Sequence, residues 1–112
     1  MFLRFQRVRS FLGSASTMKV YINGEVVGKL KNGEVFEFET ESVNDLLIKT
    51  HRFIIDLSIP TDQFKENIDI LLQYQYGLCK TKTQAIVSEN GRLIGVFPSE
   101  KVEIKWKSLR DY

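Results

Sequence analysis

The dipeptide Asn-Gly occurs three times in this chain, at Asn23-Gly24, Asn32-Gly33 and Asn90-Gly91, each time between short runs in which apolar and polar residues alternate. A two-residue reversal of type I′ needs positive φ at both central positions. Glycine meets no Cβ clash there, and asparagine tolerates the left-handed region better than most residues. The first two pairs lie nine residues apart, so strand, turn, strand, turn, strand reads from Met18 to Thr40. The fold class that follows is all-β: a small antiparallel β-sandwich of about eight to ten short strands with Asn-Gly hairpins.

The strands are placed by period-two alternation. Residues 2–12 suit a first strand by their aromatic and β-branched content, although their apolar spacing also fits a helix face. Met18 could itself be the start of the chain, with the first 17 residues an upstream addition. Val20 and Ile22 alternate with Lys19 and Tyr21, and Val26 to Leu30 returns, with Gly28 marking a bulge or the close approach of another backbone. Phe36 and Phe38 then face one way and Glu37 and Glu39 the other. Leu46 to Thr50 is a short strand, and Arg52 to Ile59 presents Phe53, Ile55, Leu57 and Ile59 to the core. The stretch 61–73 satisfies two periods. Phe64, Ile68, Leu71 and Leu72 fit a helix, but Ile68, Ile70, Leu72, Tyr74, Tyr76 and Leu78 alternate without a break. The longer match predicts a strand from about 67 to 79, with a helical turn near 61–66. Thr83 to Ser88 and Arg92 to Phe97 flank the third Asn-Gly, and Val102, Ile104 and Trp106 read as a half-buried closing strand.

A chain of 112 residues is one domain, 1–112, able to bury a single modest core. Its net charge of +2 is too small to imply nucleic acid. The distribution is less even: residues 1–22 carry Arg4, Arg7, Arg9 and Lys19 and no acid, while residues 23–45 carry six acids against Lys29 and Lys31. In a sheet such segments lie side by side, which predicts charge compensation between neighbouring strands. One cysteine excludes an internal disulfide. No run reaches the roughly 18 apolar residues of a membrane span. The basic N-terminus lacks a continuous apolar core for a signal peptide, and a mitochondrial-type presequence is the minor alternative. The resulting expectation is a cytoplasmic protein.

The stretch Arg9 to Ala15, followed by Val20-Tyr21-Ile22-Asn23-Gly24-Glu25-Val26-Val27-Gly28-Lys29-Leu30-Lys31-Asn32-Gly33-Glu34, resembles the opening of small bacterial PEGA-like β-sandwich domains. There a strand of R-x-x-S-F-x-G type precedes a V-x-I-[DN]-G-x-x-V-G-x-[LV]-x-x-G hairpin. The resemblance covers residues 4–40, and it favours 2–12 as part of the domain. Relatives place a Pro-Gly-x-His turn after the third strand, where this chain has Ser42-Val43-Asn44-Asp45. The resemblance implies a non-catalytic accessory or surface-associated module and carries over no functional residue.

The candidates for chemistry are few. His51 is the sole histidine, and a nucleophilic pair would have to form with Cys79 or a serine, without any recognisable nucleophile motif. One Cys and one His cannot hold zinc. Calcium has only Glu41 to Asp45 as a faint loop candidate. Glu37, Glu39 and Glu41 share a face and read as solvated carboxylates that discourage edge-to-edge pairing. No catalytic residue, metal or cofactor is expected. A polyanion or single-stranded nucleic acid on an OB-like barrel would contact Arg4, Arg7, Arg9, Lys101, Lys105, Lys107 and Arg110, but the pI of about 8.7 falls below the usual guide. A carbohydrate-binding module would use Tyr21, Tyr74, Tyr76 or Tyr112. The leading expectation is a non-enzymatic module acting through protein contact, with a second copy of itself or another protein.

Overall fold

The computed structural model of the chain describes residues 1–10, 16–50, 54, 56–76 and 81–98. Nine strands are found among them: β1 (Phe2–Arg7), β2 (Met18–Ile22), β3 (Glu25–Leu30), β4 (Val35–Glu39), β5 (Leu46–Lys49), β6 (Leu57–Ser58), β7 (Asn67–Tyr76), β8 (Thr81–Glu89) and β9 (Arg92–Phe97). They form a five-stranded sheet in the order β4-β1-β7-β8-β9 and a four-stranded sheet in the order β3-β2-β5-β6. The all-β class is therefore as expected. The expected closing strand at Val102, Ile104 and Trp106 lies outside the described residues, as do Phe53 and Ile55.

Alternation along each strand sends one row of side chains between the sheets. Leu3 and Phe5 from β1, Ile68, Ile70 and Leu72 from β7, and Ala85 and Val87 from β8 line one inner face. Met18, Val20, Ile22, Leu30, Leu46 and Ile48 line the other, and together they form one core. Over Asn67–Tyr76 the strand expected at about 67–79 is found, with Ile68, Ile70 and Leu72 buried where the second sheet covers one face, and 77–79 lie outside the described residues. The region expected to hold a helical turn is a single reverse turn, closed where the Phe64 amide donates to the Thr61 carbonyl at 3.1 Å.

Two pairs of strands reverse at Asn-Gly. Asn23 and Gly24 have φ of 52° and 83°, and Ile22 pairs with Glu25 across them. Asn90 and Gly91 have φ of 50° and 82°, and Glu89 pairs with Arg92. Asn32-Gly33 behaves differently from the expected strand-turn-strand. Gly33 has φ of 78° and Asn32 is not in the positive region, and the Glu34 amide donates to the Lys31 carbonyl at 3.0 Å. That is the pattern of a type II turn, whose twist splays the flanking strands instead of pairing them. β3 and β4 consequently belong to different sheets, and the turn carries the chain across the sandwich.

The pairing of β1 with β7 is parallel, Phe2 facing Asn67 through to Arg7 facing Leu72, whereas the other pairings are antiparallel. A parallel pair needs a long crossover, supplied here by the excursion through the second sheet. Gly28 sits beside the expected bulge: Val20 faces Gly28 and Tyr21 faces Val26, which leaves Val27 as the extra residue. The close approach at Gly28 is by a ring and not by a backbone. A Cβ there would stand 2.5 Å from Phe36 Cζ, and Phe36 stacks on Phe5 with centroids 4.9 Å apart.

Candidate functional site

The basic residues of the N-terminal segment do not converge. Arg4 is exposed on the outer face of β1, directly between Glu37 of β4 and Asp69 of β7 in the strand register. The register sets this cation between two acidic residues on neighbouring strands, the side-by-side placement that the charge distribution predicted. Arg9 is exposed and its side chain lies over the turn glycine, where a Cβ on Gly33 would come 3.2 Å from Nε.

Arg7 corrects the expectation of a polyanion contact, because it is only 2% exposed. It follows Leu3 and Phe5 on the inward row of β1, and the end of that row is where the guanidinium is held. Nη1 donates to the Ser16 carbonyl at 2.7 Å and to the Leu30 carbonyl at 3.0 Å, and Nη2 donates to Ser16 Oγ at 3.1 Å. The guanidinium carbon lies 5.1 Å from the Tyr74 ring centroid, within cation–π range. Ser16 Oγ and Tyr74 OH are hydrogen-bonded at 2.6 Å. One side chain thus ties β1, the entry to β2, the end of β3 and the C-terminal part of β7. Lys101, Lys105, Lys107 and Arg110 lie outside the described residues, as do His51, Cys79 and Tyr112.

The aromatic candidates for carbohydrate are also separated. Tyr21 is half-buried on the outer face of the second sheet, with Lys49 Nζ 5.2 Å from its centroid, whereas Tyr74 packs inward against the core. The loop Glu41 to Asp45, the faint calcium candidate, is organised by an amide. Asn23 Oδ1 accepts from the Asn44 and Asp45 amides at 2.8 and 3.1 Å, and its Nδ2 donates to the Ser42 carbonyl at 3.1 Å. Among the described residues no group of three His, Cys, Asp or Glu is placed to hold a metal. No helix among them is long and apolar enough to cross a membrane.

The two sides of the sandwich differ in how they are closed. On one side, β3 and β4 are joined by the turn at 32–33, and the Phe36 ring spans from Phe5 to Gly28. The edges there carry standard protection: a bulge in β3, and Glu37 and Glu39 on β4. On the other side, β6 has only two residues. Among the described strands β9 is a six-residue edge whose only charge is Arg92 at its start. Its Leu93 is 61% exposed. Beside β9 opens a groove of about 470 Å³, with Pro60, Asp62 and Gln63 on one wall and Ile94 to Phe97 on the other. Ile94 is the bulge residue of β9, since Val87 faces Gly95 and Ser88 faces Leu93. The Phe97 ring fills the space over Gly95, where a Cβ would meet it at 2.9 Å.

No protein-family model, no curated protein and no solved structure matches the chain. The β9 groove was missed by sequence reasoning, because which strand becomes an edge is set by sheet order. The burial of Arg7 had a signal, its period-two register with Leu3 and Phe5.

Proposed function

We propose that this protein is a non-enzymatic module that works by protein contact, taking an extended segment along the open edge of β9. The observation that supports the reading is the β9 edge itself, which among the described strands combines six residues, an exposed leucine and a groove of mixed polar and apolar lining beside it. An unpaired strand edge offers main-chain hydrogen bonds to an added strand, and adjacent pockets take alternate side chains. Asp62 on the groove wall favours a segment in which lysines or arginines alternate with apolar residues. The PEGA-like resemblance points the same way, toward an accessory domain.

The test is a titration of the labelled protein with a synthetic peptide of alternating valine and lysine, followed by amide chemical shifts. Shifts concentrated on Arg92 to Phe97 and on Asp62 and Gln63 are expected. Shifts confined to β3 or β4, or none at all, overturn the reading.

A further inference from the structure

The three Asn-Gly pairs share one reactivity, and the fold surrounds each of them differently. In such a pair the glycine amide nitrogen, with no Cβ beside it, gives up its proton to solvent base and attacks the asparagine Cγ. The new N–C bond closes a five-membered imide as the Cγ–Nδ2 bond breaks, and Nδ2 leaves as ammonia with a proton returned from solvent. Water then opens the ring at either carbonyl, leaving aspartate or isoaspartate. Water enters, ammonia leaves and no oxidation state changes. We propose that Asn90 is the site of this deamidation in the folded protein, and that the fold suppresses it at Asn23 and Asn32.

The attack needs a side-chain amide free to rotate onto the next nitrogen, and a backbone that solvent base can reach. Asn23 fails the first condition. Its Oδ1 accepts from the Asn44 and Asp45 amides and its Nδ2 donates to the Ser42 carbonyl, so both ends of the amide are pinned to backbone. Asn32 fails both conditions. Its Oδ1 accepts from the Ser10 amide at 2.8 Å, Asn32 and Gly33 are half-buried, and the Arg9 side chain covers Gly33. Asn90 and Gly91 are both exposed, and nothing lies within 4 Å of where a Gly91 Cβ would stand. Among the described residues the Asn90 side chain makes one bond, accepting at 3.0 Å from Nδ2 of Asn67, itself exposed. Isoaspartate routes the main chain through Cγ, so it lengthens a reversal whose two residues fix the pairing of Glu89 with Arg92.

The test is incubation of the full chain in mildly alkaline buffer, folded and in urea, followed by tryptic digestion and mass spectrometry. The digest separates the three sites into peptides 20–29, 32–49 and 83–92, and conversion shows as the mass increase of an amide-to-acid exchange. Each folded rate is divided by the same site's rate in urea, which removes the influence of neighbouring residues. By that ratio Asn90 is expected to exceed Asn23 by roughly tenfold or more, the equivalent of two further hydrogen bonds, and to exceed Asn32 as well. Asn90→Asp is expected to remove most of the ammonia that the folded chain releases. A ratio at Asn23 or Asn32 equal to that at Asn90, or ammonia release unchanged by Asn90→Asp, overturns the inference. So does a folded chain in which no site converts while all three convert in urea.

Discussion

Gly28→Ala is the sharpest perturbation of this fold. Gly28 is not in the positive-φ region, so its backbone accepts alanine, and by itself the change would stabilise by about 0.4–1 kcal/mol through the unfolded chain. Against that, the new Cβ would lie 2.5 Å from Phe36 Cζ and 2.7 Å from both Cε atoms. Phe5 stacks on the ring at 22° with centroids 4.9 Å apart, so a shift of the ring disturbs that contact. Overpacking of this kind costs about 1–3 kcal/mol. Steric strain outweighs the entropy gain, and a net loss of about 1–2 kcal/mol is expected. At about 4–8 °C per kcal/mol for a domain near this size, the midpoint of a thermal melt falls by roughly 5–15 °C. The same substitution is then measured in a Phe36→Val background, where the ring atoms that meet the Cβ are gone. There Gly28→Ala becomes neutral or stabilising. An equal loss in both backgrounds in urea titrations, or a gain with Phe36 present, would refute the argument.

The remaining expectations are smaller. Arg7→Met keeps the stem and removes the charge together with the bonds it donates to the Ser16 and Leu30 carbonyls; a loss of about 1–3 kcal/mol in chemical denaturation is expected, and no loss refutes a stabilising role for the guanidinium. Asn23→Gly keeps a residue suited to positive φ but deletes three side-chain bonds to the 42–45 loop, with an expected loss of about 1–2 kcal/mol. Asn23→Asp retains the two accepted bonds and is expected to fall between, so the order of the three urea midpoints is the test. Leu93→Lys, at an exposed position, shifts stability by no more than about 0.5 kcal/mol while weakening the valine–lysine peptide in the same titration.

Much of the sandwich was legible along the chain. Alternation predicted a strand from about 67 to 79 against a competing helical pattern, because six period-two matches outnumber four on a helix, and β7 occupies Asn67–Tyr76 of that stretch. The acid-rich β4 beside Arg4 was legible as charge compensation, since opposite charges in adjacent strands reward pairing. The site was less accessible. Arg7 was grouped with the surface cations by residue type, although its register with Leu3 and Phe5 places it inside. The groove beside β9 has no local signature, for its walls come from residues some thirty positions apart in sequence.

The chain by itself determined where the backbone reverses and which residues alternate, because those depend on φ, ψ and the sterics of single residues and near neighbours. Only the tertiary structure decided that Asn32-Gly33 crosses between sheets, that β1 runs parallel to β7, that Gly28 is reserved for the Phe36 ring, and that β9 comes last in the order of the described strands of its sheet. Each of those outcomes depends on which distant strands bury surface against one another, and a hydrogen-bond ladder accepts a partner from anywhere in the chain.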